Sequence, residues 1–90
     1  MDIHFDATKN AANLAKHGVS LAAAADLEWD GALVLGDLRG EYGEARFVAL
    51  APLGARLYVV IFTVRGEALR IISLRRANAR EVRRYGDNQE

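Results

Sequence analysis

Cationic side chains at the ends of two strand-like runs are the groups in this chain best suited to chemistry. Thr63 and Arg65 end one apolar run, and Ser73, Arg75 and Arg76 end the next. A strand holds its side chains in fixed directions, and fixed cations can neutralise a phosphodiester and stabilise the transition state of its cleavage. The pattern indicates a protein that handles the phosphate groups of RNA or DNA. The alternative is that these arginines only solubilise a sheet edge or pair with carboxylates of the first half.

A second polar group follows helical spacing near the start of the chain. Lys9, Asn13 and Lys16 are spaced i, i+4, i+7 and share a face, and His17 ends that face. His17 and His4 are the two histidines, and imidazole suits proton transfer near neutral pH. We expect His4, inside a short strand, to be structural. The alternative for the helix is a solvated face whose cations are favoured by the helix dipole.

A third group lies in the last predicted helix. Arg80, Arg83 and Arg84 form a basic surface, whereas Glu81 and Tyr85 share another face at i, i+4 spacing. An arginine-rich helix is typical of a solvated or partner-binding surface. The alternatives to chemistry are a capping role for Glu81 and a hydrophobic anchor for Tyr85.

Composition limits the classes of site. The 90 residues predict one domain over 1–90, with 86–90 as a frayed tail, and there are no cysteines. The net charge is zero, but residues 1–44 carry a balance of −5 and residues 45–84 a balance of +7. No glycine-rich phosphate loop and no metal-ligand spacing is found, so we expect an enzyme without metal or cofactor. The longest apolar run is too short to span a bilayer and no signal peptide is recognised, which predicts a cytoplasmic protein without a membrane partner.

These groups must be positioned by a small α+β domain with the element order β-α-α-β-β-β-β-α. Asp6 and Gly18 delimit a first helix with Leu14 pointing inward, and Ser20 begins a second helix that ends near residue 28. Strands are expected over 2–5, 32–37, 44–51, 56–64 and 69–74, with a polar loop over 38–43. Asn78 and Glu81 predict a capping box for a helix that ends near Tyr85. Short turns predict an antiparallel meander with the two N-terminal helices packed on one face.

Alternation leaves the arrangement of the last hairpin open. Strict alternation puts Ser73 and Arg75 on one face of the final strand and Arg70 and Arg76 on the other. It does not decide which face is buried, because both carry apolar residues. One register would bring Arg65 beside Arg70, which is unfavourable unless an anion lies between them.

An ordered set of residues along nearly the whole chain resembles the BrnT toxins, the ribonuclease halves of bacterial type II toxin–antitoxin pairs. The set comprises Phe5-Asp6, Lys9, Asn13, Lys16-His17-Gly18-Val19, Gly43-Glu44, Arg46, Val59-Val60, Thr63, Arg65, Arg70-Ile71-Ile72-Ser73, Arg75-Arg76-Ala77, Glu81 and Tyr85. The resemblance implies a RelE-like fold and cleavage of RNA without a metal. It also implies neutralisation by a BrnA-type ribbon–helix–helix antitoxin. The complex is then a heterotetramer that contacts operator DNA through the antitoxin.

The resemblance also gives the polar residues roles in an attack of the ribose 2′-hydroxyl on the adjacent phosphorus, which leaves a cyclic phosphate. We expect His17 as general base or acid, Lys16 and Arg65 as phosphate binders, and Arg75 as a clamp on the transition state. Glu81 and Tyr85 are further catalytic candidates. RNA binding is expected of Lys9, Asn13, Arg70 and Arg76, and antitoxin binding of Arg80, Arg83 and Arg84.

Two other functions are compatible with the same residues. One is a non-enzymatic toxin that poisons a protein target such as a topoisomerase. The other is a domain that only binds its antitoxin and operator DNA. The titratable His17 and its neighbouring cations favour the ribonuclease, because a protein that only binds has no need of a group for proton transfer.

Overall fold

A five-stranded mixed sheet organises the described part of the chain, residues 1–37 and 44–89, in the computed structural model. The spatial order of the strands is β1-β5-β4-β3-β2. Their bounds are β1 Asp2–His4, β2 Leu33–Asp37, β3 Phe47–Leu53, β4 Arg56–Arg65 and β5 Ala68–Arg76. The predicted loop 38–43 and Glu90, the last residue of the predicted tail, lie outside the described residues.

The α+β class and the antiparallel meander are confirmed. β2 to β5 pair antiparallel in chain order. The β3–β4 and β4–β5 connections are two-residue turns, and each contains a glycine with positive φ. Apolar runs bounded by such turns favour neighbouring strands over distant ones, which is why this part of the fold could be predicted.

The first strand departs from the prediction of a purely antiparallel sheet. β1 pairs parallel to β5, with Ile3 beside Leu69 and His4 beside Arg70. A parallel pair needs a long crossover connection, here the helices and three further strands that separate β1 from β5 in sequence. Sequence-local patterns carry no information on such a pairing.

The first helix, α1 (Ala7–His17), begins and ends as predicted. The Asp6 carboxylate accepts a bond from the Lys9 backbone N–H at 2.9 Å, and Gly18 ends the helix with φ of 73°. The inward position predicted for Leu14 is wrong: its exposed fraction is 50%, whereas Asn13 is buried. No helix of the described residues is both long and apolar enough to cross a membrane.

The second predicted helix is instead a pair of 3₁₀ helices, η1 (Leu21–Asp26) and η2 (Trp29–Gly31). Ser20 caps η1 as predicted, since its Oγ accepts from the Ala22 N–H at 3.1 Å. Leu21, Ala24 and Leu27 are all buried in the core, and their spacing of three residues fits the three-residue turn of a 3₁₀ helix.

The main core lies between η1, η2 and one face of the sheet. Trp29 of η2 packs edge-on against Phe62, with ring centroids 5.3 Å apart. The buried apolar residues of the cluster are Leu21, Ala24, Leu27, Ala49, Ala51, Tyr58, Val60, Phe62, Ile71 and Leu74. We call the opposite side of the sheet the second face. It carries the polar ends of β4 and β5 and also the buried Leu50 and Val59.

The last helix, α2 (Ala79–Asp87), extends two residues beyond its predicted end. The predicted capping box is confirmed, because Glu81 N–H donates to Asn78 Oδ1 and Asn78 N–H donates to Glu81 Oε1. None of its residues is buried. The helix is therefore held to the sheet by a few specific side-chain contacts.

Candidate functional site

A β-bulge in β5 decides which polar side chains share the second face. Ile71 and Ser73 pair with successive residues of β4, so Ile72 has no cross-strand partner. An extra residue reverses the alternation of side chains, which corrects the prediction that Arg70 faces away from Ser73 and Arg75. Directly opposed residues point to the same side. The second face therefore carries Thr63 and Arg65 of β4 together with Arg70, Ser73 and Arg75 of β5.

The first cluster is a cleft between α1 and β5, which we call the α1–β5 cleft. It has a volume of about 210 Å³ and is lined by Lys9, Asn13, Lys16, His17, Ile72 and Ser73. The lysines are exposed and His17 is half-buried at the C-terminus of the helix. The cleft combines one titratable imidazole, two ammonium groups and one hydroxyl beside a strand.

Asn13 does not present a free amide to this cleft. Its Nδ2 donates to the carbonyl oxygens of Leu74 at 2.8 Å and Val19 at 2.9 Å, and its Oδ1 accepts from the Leu74 N–H at 3.2 Å. Both ends of the amide are thus engaged by backbone. The geometry gives the predicted RNA contact of Asn13 no support and assigns this residue a structural role.

The second cluster is a cleft at the other end of β5, which we call the β1–β5 cleft. It measures about 270 Å³ and is lined by His4, Arg65, Ala68 and Arg70. Arg65 pairs with Ala68 and Arg70 with Thr63, so the two arginines are diagonal neighbours rather than directly opposed. Arg65 also donates to Glu44 Oε1 at 3.0 Å in an exposed ion pair. The unfavourable register considered for Arg65 and Arg70 is therefore not adopted.

The guanidinium of Arg75 is not free. Its Nη1 and Nη2 donate to the two carboxylate oxygens of Glu81 at 3.0 and 2.9 Å, and Nη1 also donates to the Arg76 carbonyl. The hydrogen bond from Arg75 lowers the pKa of Glu81, and the same bond raises the pKa of Arg75. This bidentate ion pair joins β5 to α2.

The four residues given the principal catalytic roles do not converge. Lys16 and His17 meet in the α1–β5 cleft, whereas Arg65 lies in the β1–β5 cleft and Arg75 beneath α2. Six residues of β4 separate the positions opposite Arg65 and Arg75, which is roughly 20 Å of strand. One phosphate cannot contact both arginines in this arrangement. Clamping by Arg75 at the centre that contains Arg65 is therefore not supported.

Tyr85 and the other cations of the C-terminal region surround a third feature, which we call the α2 groove. The Tyr85 hydroxyl donates to the Gly31 carbonyl at 2.5 Å, far from the two clefts on β5. The groove has a volume of about 410 Å³ and is lined mainly by apolar groups, including Pro52, Leu57, Val82 and Tyr85, together with Arg56 and Arg76. Arg80, Arg83 and Arg84 are exposed on the same helix.

Two features of the site were missed by sequence reasoning. His4 faces the β1–β5 cleft rather than serving only the strand, and a parallel pairing with Arg70 is what brings it there. Thr63 is 1% exposed, and its Oγ1 has no hydrogen-bond partner among the described residues. The T-x-R spacing drew attention to Thr63, but burial could not be inferred from it.

No group of three or more metal-ligating side chains occurs within residues 1–37 and 44–89. The charge available to a bound anion in the described clefts comes from lysine, arginine and histidine.

Comparison with known families extends over most of the chain. Residues 5–81 match the family model described as "Ribonuclease toxin, BrnT, of type II toxin-antitoxin system". The matched range contains the α1–β5 cleft, the β1–β5 cleft and the Arg75–Glu81 pair. No curated protein matches the chain.

Proposed function

Because the chain belongs to the BrnT family of ribonuclease toxins of type II toxin–antitoxin systems, we propose that it inhibits translation by cleaving RNA at the α1–β5 cleft. The observation that carries this proposal is the placement of His17 beside Lys9, Lys16 and Ser73 in one cleft. A proton-transfer group next to cations is what cleavage of a phosphodiester requires.

The proposed reaction is an intramolecular transesterification of RNA. The ribose 2′-oxygen loses its proton to a base and forms a bond to the adjacent phosphorus. The bond from phosphorus to the 5′-oxygen breaks, an acid protonates that oxygen, and a 2′,3′-cyclic phosphate remains. His17 serves as the base or the acid, and Lys16 neutralises the non-bridging oxygens of the transition state. In this proposal the lysine supplies the charge stabilisation, so no metal takes part.

The remaining cations are proposed to hold the RNA backbone on either side of this centre. Arg70 lies three residues from Ser73 on the same face of β5, roughly 10 Å along the strand. Arg65 and Lys9 extend the basic surface in the two directions, and Arg76 is exposed at the far end of β5. Such contacts bind RNA without reading its sequence and weaken as salt is raised.

We assign Arg75, Glu81 and Tyr85 to the positioning of α2 rather than to the reaction. Arg75 and Glu81 consume each other's charge in a bidentate pair, and the Tyr85 hydroxyl is engaged by Gly31. Groups bound in this way must first break those contacts before they can reach a substrate. The three residues lie at the α2 end of the sheet, away from the β1–β5 cleft.

The antitoxin is proposed to be a BrnA-type ribbon–helix–helix protein that binds at α2. An exposed row of arginines beside an apolar groove fits an acidic segment that also carries an apolar anchor. We expect a heterotetramer in which only the antitoxin contacts operator DNA. We also propose that the fold is related to that of RelE and that the toxin acts as a single domain in the cytoplasm.

The proposal is tested with the purified chain and a fluorescent RNA oligonucleotide in buffer containing EDTA. We expect cleavage products that end in a cyclic phosphate, and a rate at least about 100-fold lower for His17→Ala, the size of an acid–base contribution. Thr8→Ala is the matched control, because Thr8 is exposed on α1 and does not line the cleft.

Two results would contradict the proposal. Undiminished cleavage by His17→Ala would remove the α1–β5 cleft as the centre of the reaction. Growth inhibition by the wild-type chain with intact cellular RNA would instead favour a toxin that acts by binding a protein target.

A further inference from the structure

We propose that His4, Arg65 and Arg70 form a second phosphate site, the β1–β5 cleft, which holds an RNA phosphate next to the one cleaved. This inference rests on the proposed function, because it takes RNA as the ligand. It adds a site whose affinity depends on pH, and it gives His4 a role that its position in a short strand does not suggest.

The three side chains reach the cleft from three adjacent strands. His4 of β1 and Arg70 of β5 are paired in register, and Arg65 of β4 lies diagonally across from Arg70. Neighbouring strands are about 4.8 Å apart, so the three Cα positions form a compact triangle. The cavity of about 270 Å³ lies just below the range of about 300–1,000 Å³ typical of drug-sized ligands. Its size and its donors fit a small anion.

The charges of the cleft are incompletely compensated. Within the described part of the chain, no carboxylate lies within ion-pair distance of Arg70, and Arg65 makes one bond, through Nη2, to Glu44. That pair is largely exposed, with 57% of the Arg65 side chain accessible, so a phosphate can compete for the guanidinium with little loss. Diagonal arginines repel each other unless an anion lies between them. A phosphate oxygen placed between Arg65 and Arg70 removes that repulsion.

Thr63 adds an independent observation. It is directly opposite Arg70 on the same face, it is almost fully buried, and its hydroxyl has no partner among the described residues. Buried polar groups without partners are rare in folded proteins and concentrate at functional sites. The uncompensated hydroxyl lies in the same cross-strand row as the arginine of the cleft.

His4 makes the site responsive to pH. Its imidazole becomes a third cation as the pH falls, and the charged groups nearest to it are Arg70 of β5 and Arg65 of β4. Asp2 shares its face of β1, Glu44 is bound to Arg65, and the one charged residue of η1 is Asp26. Protonation next to two arginines is unfavourable without an anion and favourable with one. Phosphate binding and protonation of His4 therefore reinforce each other.

The experiment measures binding of a fluorescent 2′-O-methyl RNA oligonucleotide, which lacks the attacking hydroxyl and cannot be cleaved by the proposed reaction. The assay uses His17→Gln, so that His4 is the only histidine, and compares pH 5.5 with pH 8.0 over a range of salt concentrations. We expect tighter binding at pH 5.5 and a salt slope steeper by about 0.7, the value for one additional phosphate contact on a single strand. The doubly substituted His4→Gln/His17→Gln chain should lose both effects.

Arg70→Gln in the same His17→Gln background should reduce the gain at pH 5.5, because it removes the arginine paired with His4. Thr8→Ala should leave the gain unchanged, and circular dichroism verifies that each variant is folded. An undiminished gain in the His4→Gln/His17→Gln chain overturns the inference. Because the probe is not cleaved, wild-type cleavage is measured separately. A chain that cleaves RNA but shows no effect of His4 contradicts this inference alone, whereas His4-dependent binding without cleavage contradicts the proposed function alone.

Discussion

The carboxamide of Asn13 bonds to both backbone groups of Leu74, donating to its carbonyl oxygen at 2.8 Å and accepting from its N–H at 3.2 Å. β1 pairs with β5 only over Ala68–Arg70, so the outer edge of β5 beyond that point lacks a neighbouring strand. The amide supplies the donor and acceptor that such a strand would have offered. This contact fixes α1 beside the sheet and thereby sets Lys16 and His17 over Ser73.

Substitution of Asn13 should therefore destabilise the protein more than an apolar truncation on the same helix. Asn13→Ala removes three hydrogen bonds and leaves buried groups of Leu74 unsatisfied, which we expect to lower the free energy of unfolding by about 2–4 kcal/mol. Leu14→Ala is the control, since half of Leu14 is exposed, and should cost less than about 1 kcal/mol. Urea denaturation measures both. Equal losses in the two variants would show that the amide does not anchor α1.

Thr63 offers a case in which removal of a polar atom should not harm the fold. Its buried hydroxyl has no partner among the described residues, so Thr63→Val should leave the free energy of unfolding unchanged or raise it by up to about 2 kcal/mol. Thr63→Ser keeps the hydroxyl and loses a buried methyl group, which should cost about 1 kcal/mol. A stabilised Thr63→Val chain with weaker RNA binding would indicate that the hydroxyl is kept for function. Marked destabilisation by Thr63→Val would mean that the hydroxyl is satisfied in solution.

The ion pair between Arg75 and Glu81 should make the attachment of α2 sensitive to acid. The bond from Arg75 lowers the pKa of the Glu81 carboxyl in the folded state, so the unfolded chain binds a proton more readily. The stabilisation is complete above about pH 4.3, the ordinary value for glutamate, and is lost as the pH falls through the lower pKa of the folded state.

Glu81→Gln separates this effect from capping, because glutamine at the third helical position can still accept the Asn78 N–H. We expect the variant to be less stable than wild type by about 0.5–1 kcal/mol at pH 7, with the difference vanishing in acid. Thermal unfolding between pH 2 and 7 measures this. A difference that persists unchanged at pH 2 would exclude the ion pair as its cause.

The parts of the fold that could be predicted from sequence are those specified by neighbouring residues. Asp6 and Gly18 around α1, the capping box of Asn78, and the turns of the meander are each specified within a few positions. The parallel β1–β5 pairing depends on residues more than sixty positions apart, and helical periodicity did not anticipate the 3₁₀ geometry of η1.

The candidate site was predicted in composition but not in arrangement. Spacing along α1 grouped Lys9, Lys16 and His17 correctly, because helical periodicity is local. The bulge at Ile72 reversed the face of Arg70, and this cannot be read from an apolar run that tolerates either alternation. The engagement of Arg75 by Glu81 was also unforeseen, since both residues had been considered separately. Tertiary contacts, rather than residue types, decide which arginines remain available.

Charge reversal on α2 should weaken antitoxin binding without impairing cleavage of RNA. Arg80 and Arg83 are exposed on α2, on the opposite side of the molecule's charge pattern from the clefts on β5 only in sequence terms, and they contact no catalytic group proposed here. We expect Arg80→Glu/Arg83→Glu to lower the affinity for an acidic antitoxin segment by about 10–100-fold, most strongly at low salt. Lys9→Glu is the matched charge reversal in the α1–β5 cleft and should show the converse, with slower cleavage and nearly unchanged antitoxin affinity. Calorimetry with the purified antitoxin and a cleavage assay distinguish the two. Full antitoxin affinity in the α2 variant would place the antitoxin on another surface.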